Sequence, residues 1–243
     1  MTPYLIMAAI VIVLIGLGKG GLGGTLAVLA TPLMATVMPA TEVIGLLLPI
    51  LMVADLFALW AHWNKWDKSQ VLLLIPGGVI GVAVATLFLT SISAAGLRQF
   101  IGVIALLFVL YRLFEKRILR SIHYTSRNWH GLLAGGLSGI SSTLAHTGPP
   151  PVVIYLMMVG LKPRPFVASM VLFFAILNWI KVPSYYFAGL FHMNQLLQIV
   201  WLLPLLPLSV WAGKVFASRV NKELFDWIII AILTITAVML LVQ

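Results

Sequence analysis

Six stretches of this chain, near residues 43–64, 70–90, 97–114, 166–190, 195–217 and 224–242, are each about twenty residues of mostly aliphatic and aromatic side chains, the length a helix needs to cross a bilayer. Only 9% of the 243 residues are charged while 62% are hydrophobic. Six acidic and fifteen basic side chains cannot give a body of this size a solvated surface, so the apolar runs face lipid. In lipid a spanning segment must satisfy its own backbone, which a helix does. A cytosolic enzyme and a disordered tail are thereby excluded. Cysteine is absent, which removes a disulfide-stapled secreted domain, a thiolate metal site and a redox dithiol.

The net charge of +9 does not point to nucleic acid, because the cations are not gathered on one face with stacking aromatics. They lie between apolar runs: Arg112, Lys116, Arg117, Arg120 and Arg127 form the densest group, with Lys65/Lys68, Lys162/Arg164 and Arg219/Lys222 as pairs. That is the pattern of cytoplasmic loops in a multispanning protein. At the N-terminus the first cation, Lys19, follows the apolar stretch instead of preceding it, so the segment is expected to stay in the mature protein and not to act as a cleaved signal. Trp60, His62, Trp63 and Trp66 at the inner end of a span match an interfacial aromatic belt and are assigned no chemistry.

Two further apolar stretches are interrupted. Residues 4–38 are broken by GLGKGGLGG (Gly16 to Gly24) and residues 129–160 by AHTGPPP (Ala145 to Pro151). In each, a helix of about 17 residues meets a break and a second helix of roughly 10 to 14 follows, which predicts a broken or re-entrant hairpin. Sliding the chain on itself by about 124 residues lays Gly23-Gly24 on Thr147-Gly148, Asp55 beside Asn178 and Leu97 near Leu224. The expected fold is thus an all-α polytopic membrane protein of two repeats, each a hairpin plus three transmembrane helices: 1–114, a basic linker 115–128, and 129–243. With the linker in the cytoplasm and each hairpin returning to its side of entry, the other basic pairs fall inside and both termini outside. Each half then crosses an odd number of times, so the repeats are inverted. Eight full spans with parallel halves would put Lys162 and Arg164 outside, against the charge rule.

An interrupted helix presents unpaired N–H groups and partial positive charge where its second limb begins, a place that suits an anion. Gly21, Gly23, Gly24 and Thr25 mark one such place, Thr147 and Gly148 the other, with Pro149, Pro150 and Pro151 suited to a first helical turn. The other account of these glycines is close packing between helices. Lys19 borders the first break, and Lys181 lies midway along its span, where a bare cation costs at least roughly 2.5 kcal/mol. Asp55 is the acid deep inside a span, and Asn178 stands one helical turn before Lys181. Two readings follow: a structural Asp55–Lys181 ion pair, or Lys181 and Lys19 facing an anion with Asn178 donating a hydrogen bond and Asp55 holding Lys181 or carrying a proton. His146 is the candidate titrating near neutral pH, or equally a helix cap. Ser141, Ser142 and Thr143 lie on the helix entering this break, where they line a path or bond back to their own helix.

An intramembrane serine hydrolase would draw on Ser142 and His146, but G-x-S-x-G is missing. No metal-ligand cluster, Walker A motif or dinucleotide fingerprint appears, so the reading holds no metal, no cofactor and no catalytic residue. A secondary carrier or a passive anion channel remains.

The segments GLGKGGLGGTLAVLATPL, STLAHTGPPPVVIYL and FFAILNWIKVPSYYFAGL, with the Arg-rich linker, resemble the TauE/SafE family of sulfite exporters and sulfonate-uptake permeases over essentially the whole chain. In the second break Gly148 is followed by three prolines where many members of that family carry further glycine. The resemblance implies a multi-pass carrier in a bacterial inner membrane for small sulfur oxyanions such as sulfite, sulfoacetate and other C2 sulfonates, or thiosulfate. A homodimer is compatible with it. The expected mechanism is alternating access around a midplane site formed by Lys19, Gly21, Gly23, Gly24, Thr25, His146, Thr147, Gly148, Asn178 and Lys181, with Asp55 or His146 carrying any coupled proton.

Overall fold

The computed structural model describes residues 3–22, 25–121, 127–216 and 222–242. Among these every regular element is helical: α1 (Pro3–Leu17), a π-helical turn (Gly18–Leu22), α2 (Thr25–Val28), α3 (Ala30–Ala35), α4 (Ala40–Ala61), α5 (Lys68–Leu89), α6 (Ala94–Ser121), α7 (Asn128–Ala145), α8 (Pro149–Val159), α9 (Pro163–Phe187), α10 (Met193–Ile199), a 3-10 turn (Val200–Leu202), α11 (Leu205–Phe216) and α12 (Lys222–Val242). Pro3–Gly20, α4, α5, the Ala94–Glu115 part of α6, and α9 are each long and apolar enough to cross a bilayer. Leu87, Phe187 and Trp211 are among the large apolar side chains left exposed on the outside, as a lipid solvent requires. This is a polytopic membrane protein.

Three expectations are corrected. The stretch 195–217 is not one straight span: Met193–Leu202 and Leu205–Val215 meet at 52°. Pro204 has no N–H to continue the ladder, and the chain closes instead through three-residue turns, Leu203 N–H to Val200 O (3.1 Å) and Leu206 N–H to Leu203 O (2.9 Å). The basic linker is shorter than 115–128, since α6 continues through Ser121. The first break does not begin at Gly16 either. The chain stays helical through Leu22, widening into a π turn, and Gly23 and Gly24 lie outside the described residues.

The second limbs are short. α8 has 11 residues and so rises about 16 Å, half the hydrocarbon thickness. Leu26–Ala35 is no longer than that. Its helix α8 starts at Pro149, so the second break narrows to His146–Gly148, because prolines with fixed φ begin a helix well.

The halves interlock. α7 lies on α5 in the most extensive contact between described helices, α1 and the π turn lie on α11, α4 packs on α9, and α6 on α12. Small residues permit the close crossings. A Cβ on Gly77 would stand 1.9 Å from the Leu132 carbonyl oxygen of α7, and one on Gly20 would stand 2.1 Å from the Val210 carbonyl oxygen of α11. Close packing therefore accounts for Gly20.

Candidate functional site

Four elements bring polar side chains into the interior: the π turn, α4, the end of α7 and the middle of α9. The last turn of α7 ends at His146, whose φ of 53° is left-handed, a conformation uncommon for a residue with a side chain. It is held there from two directions. The His146 N–H donates to Ser142 O (3.0 Å), and ring nitrogen Nε2 lies 3.0 Å from Ile44 O on α4. A carbonyl only accepts, so Nε2 carries the proton and Nδ1 presents a lone pair on the opposite edge.

Lys181 faces that lone pair. Its Nζ is 3.2 Å from His146 Nδ1, 3.1 Å from Ser142 Oγ and 3.3 Å from Ser142 O, and the residue is fully buried. The expected Asp55–Lys181 ion pair is not formed. Asp55 pairs with Lys19 through Oδ1, and its Oδ2 accepts from Asn178 Nδ2 at 2.6 Å. Position along the chain placed Lys181 and Asp55 at similar depth, but the π turn turns Lys19 onto α4 and leaves Asp55 no free oxygen for a second cation. The Ser142/His146 dyad is not formed either: Ser142 Oγ meets Lys181, not the imidazole.

Around this network lies a cavity of about 480 Å³. Lys19, Ser142, His146 and Asn178 line its deep part, with Gly18, Gly20, Pro149 and Pro150. His62, Tyr111, Arg112 and Glu115 line it near the C-terminal ends of α4 and of the apolar part of α6. Lys181 stands behind Ser142 and His146 rather than in the wall. Arg112 is the hub of the mouth, bridging Glu115 and, at 2.5 Å, Asp226 Oδ1 of α12. Just beyond α4, burial and then the cations of Lys65 and Lys214 push the His62 imidazole below its ordinary range.

The backbone-donor idea fares differently at the two tips. At the second, the Thr147 N–H is used by Ser141 O (3.3 Å), the Gly148 carbonyl accepts from Ser138 Oγ (2.8 Å), and the three prolines of the first turn have no N–H at all. This tip offers the dipole of α8 but almost no donors, so specific contacts fall to side chains. Thr147 faces a separate apolar groove between α6, α7 and α8. At the first tip Gly21 lies in the π turn and Thr25 opens α2; Gly23 and Gly24, between them, lie outside the described residues. Sequence reasoning missed Arg112, Tyr111 and Glu115, counting Arg112 as a loop charge. The i, i+3 spacing of Arg112 and Glu115 on a continuing helical pattern was the available signal. His62 was seen but assigned to the aromatic belt.

Among the described residues no group of three or more His, Asp or Glu side chains is close enough to hold a metal. A family model described as sulfite exporter TauE/SafE matches residues 8–240. No curated protein and no solved structure matches the chain. Since the family match runs through both hairpins, all the spans and every side chain of the interior network, the chain belongs to the TauE/SafE sulfite exporter family, a family of membrane transporters and not of enzymes.

Proposed function

We propose that this chain is a secondary carrier that exports small sulfur-containing oxyanions, such as sulfite, sulfoacetate and other C2 sulfonates, or thiosulfate, across a bacterial inner membrane by alternating access. The observation that carries the reading is the cavity of about 480 Å³ with Lys19, His146 and Asn178 in its wall and Arg112, bridged to Glu115 and Asp226, at its other end. Its mouth lies at the ends of α4, α5 and α9 that carry Lys65, Lys68, Lys162 and Arg164, the cytoplasmic side by the charge rule. The opposite end is latched: Gln195 donates through Nε2 to Glu42, and the Tyr4 hydroxyl donates to the Gln195 carbonyl at 3.2 Å. That is an inward-open arrangement, with both termini outside.

The reciprocal packing of α1 on α11 and α7 on α5, with α4 on α9 and α6 on α12, supports two inverted repeats of 1–114 and 129–243 joined by the basic segment. The deep site then lies between the two breaks, whose residues line one cavity. An anion exported alone down an inside-negative potential gains about 2.3 kcal/mol per charge per 100 mV, whereas one exported together with a proton crosses without net charge and is driven by its own concentration gradient. Uptake needs coupling.

Thermal unfolding of the purified protein with sulfite, thiosulfate, sulfate, sulfoacetate and taurine tests this. The anions that are carried raise the midpoint, by the equivalent of about 2.7 kcal/mol at one hundred times their dissociation constant. Zwitterionic taurine does so least. The double variant Lys19→Met/Asp55→Leu folds but loses the shift. Absence of a shift with every anion would remove the proposal.

A further inference from the structure

Lys181 is a fully buried lysine without a carboxylate partner, since the interior acid of the described residues, Asp55, is taken by Lys19 and Asn178. A lysine kept permanently charged inside a membrane protein normally faces an acid. The three atoms around Nζ are of another kind. Ser142 O and His146 Nδ1 are acceptors only, while the Ser142 hydroxyl accepts or donates according to its rotation. As an ammonium, Lys181 has three N–H donors for three acceptors. As an amine, it donates to Ser142 O and His146 Nδ1 and receives the Ser142 hydroxyl on its lone pair. Both protonation states are therefore fully hydrogen-bonded in one geometry, so the change of charge leaves no donor or acceptor unpaired.

His146 limits the occupancy to a single proton. Its Nε2–H is spent on Ile44 O, so a second proton would have to sit on Nδ1, pointing at Nζ 3.2 Å away. Imidazolium and ammonium cannot both be formed across that distance. The remaining charged and titratable neighbours do not compete. Asp55 from α4 and Lys19 from the π turn are paired with each other. Tyr185, one turn along α9, donates to Thr143 O at 2.6 Å. α8 brings Tyr155, which donates to Gln70, and α5 carries no ionisable side chain beyond Lys68 at its first residue. Lys19 and Asp55 cancel, so the interior of the site is neutral when the pair is empty and holds one positive charge when it is filled.

We propose that Lys181 and His146 hold one proton between them and that this proton is taken up together with a monovalent oxyanion, which makes the pair the coupling site of the carrier. The proton comes from cavity water, which reaches Ser142 and His146 in the wall; it binds the Nζ lone pair, and the Ser142 hydroxyl rotates from donor to acceptor. The bound anion and the added proton together leave the site neutral, the condition under which a loaded site reorients through the low-dielectric layer at least cost. Lys181 acts here through Ser142 and His146 and not by touching the anion.

The inference rests on the anion-carrier reading above, and the test separates the two. Binding of isethionate, a C2 sulfonate whose single charge does not titrate, is measured on the purified full chain from about pH 6 to about pH 9, together with proton uptake reported by a pH dye in weak buffer. Affinity is expected to be highest at low pH and to fall about tenfold per pH unit once the pair has lost its proton, with about one proton taken up per anion bound on that alkaline side. In Lys181→Gln, affinity is lower and both the pH dependence and the uptake vanish. Should that variant not fold, Lys181→Arg serves instead, because guanidinium does not release its proton. Isethionate binding that is flat with pH and takes up no proton overturns the coupling proposal while leaving the carrier reading intact. Uptake that survives in either variant places the proton elsewhere and overturns it as well. If isethionate and every anion of the thermal panel fail to bind at all pH values, the carrier reading falls and this proposal with it.

Discussion

Asp55→Leu is expected to lose about 3 to 5 kcal/mol of stability, seen as a fall in the thermal midpoint of the protein in detergent. The carboxylate of Asp55 is 3% exposed and has two partners, the Lys19 ammonium and the Asn178 amide. Removing it leaves a cation and a buried amide donor without acceptors. The Lys19 side chain is 15% exposed to the cavity, so water recovers part of the loss, which puts the effect toward the lower end of that range. Lys19→Met added to Asp55→Leu is expected to restore most of the loss, since no unpaired charge then remains and the leucine and methionine stems pack. A double variant no more stable than the single one would mean that the two side chains are not coupled. Asp55→Asn, by contrast, keeps the Lys181–His146 pair, so anion binding is expected to remain pH-dependent, with its midpoint displaced because the Lys19 charge is no longer cancelled.

Gly135→Val is expected to prevent folding altogether. A Cβ at Gly135 would stand 2.0 Å from the Leu74 carbonyl oxygen and 3.1 Å from the Gly78 nitrogen, both backbone atoms of α5 that no rotamer change can move. Relief requires α7 to back away from α5 along the whole crossing, which exceeds the usual few kcal/mol of overpacking and goes beyond about 4 kcal/mol. The neighbouring Gly136 provides the control. Its nearest contact for a new Cβ is the Gly77 carbonyl oxygen at 3.6 Å, ordinary van der Waals distance, so Gly136→Ala is expected to purify as the wild type does. Size-exclusion profiles of the two variants decide the matter: equal behaviour would show that backbone proximity is not what the glycine at 135 serves.

Much of the architecture was legible because a bilayer makes severe demands that act locally. Long apolar runs, the spacing of basic clusters and the two interrupted hairpins each reflect a segment's own composition, and α4, α5, α9 and the α7–α8 hairpin occupy nearly the expected residues. The misread pieces were those where neighbours choose between local options. Gly16 and Gly20 read alike from the sequence whether the chain unwinds around a ligand or lets a helix approach α11, and contact with Ser209 and Val210 selected the second. Pro204 is compatible with a mild kink or a sharp bend, and the packing of α11 on α1 favours the bend.

The candidate site divides the same way. That Lys19, Asp55, His146, Asn178 and Lys181 belong to a buried polar centre follows from the sequence alone, because ionisable and amide groups at those depths must find one another. Who pairs with whom is a property of the assembled helices. Asp55 meets Lys19 because the π turn carries that lysine onto α4, and Lys181 is left to Ser142 and His146 because α7 ends in a left-handed turn beside α9. Hydropathy and repeat spacing set the depth of each residue along its own helix. The rotation of one helix against the next is set only by side chains from distant parts of the chain meeting, and it decided which lysine is neutralised by an acid and which is left with neutral partners.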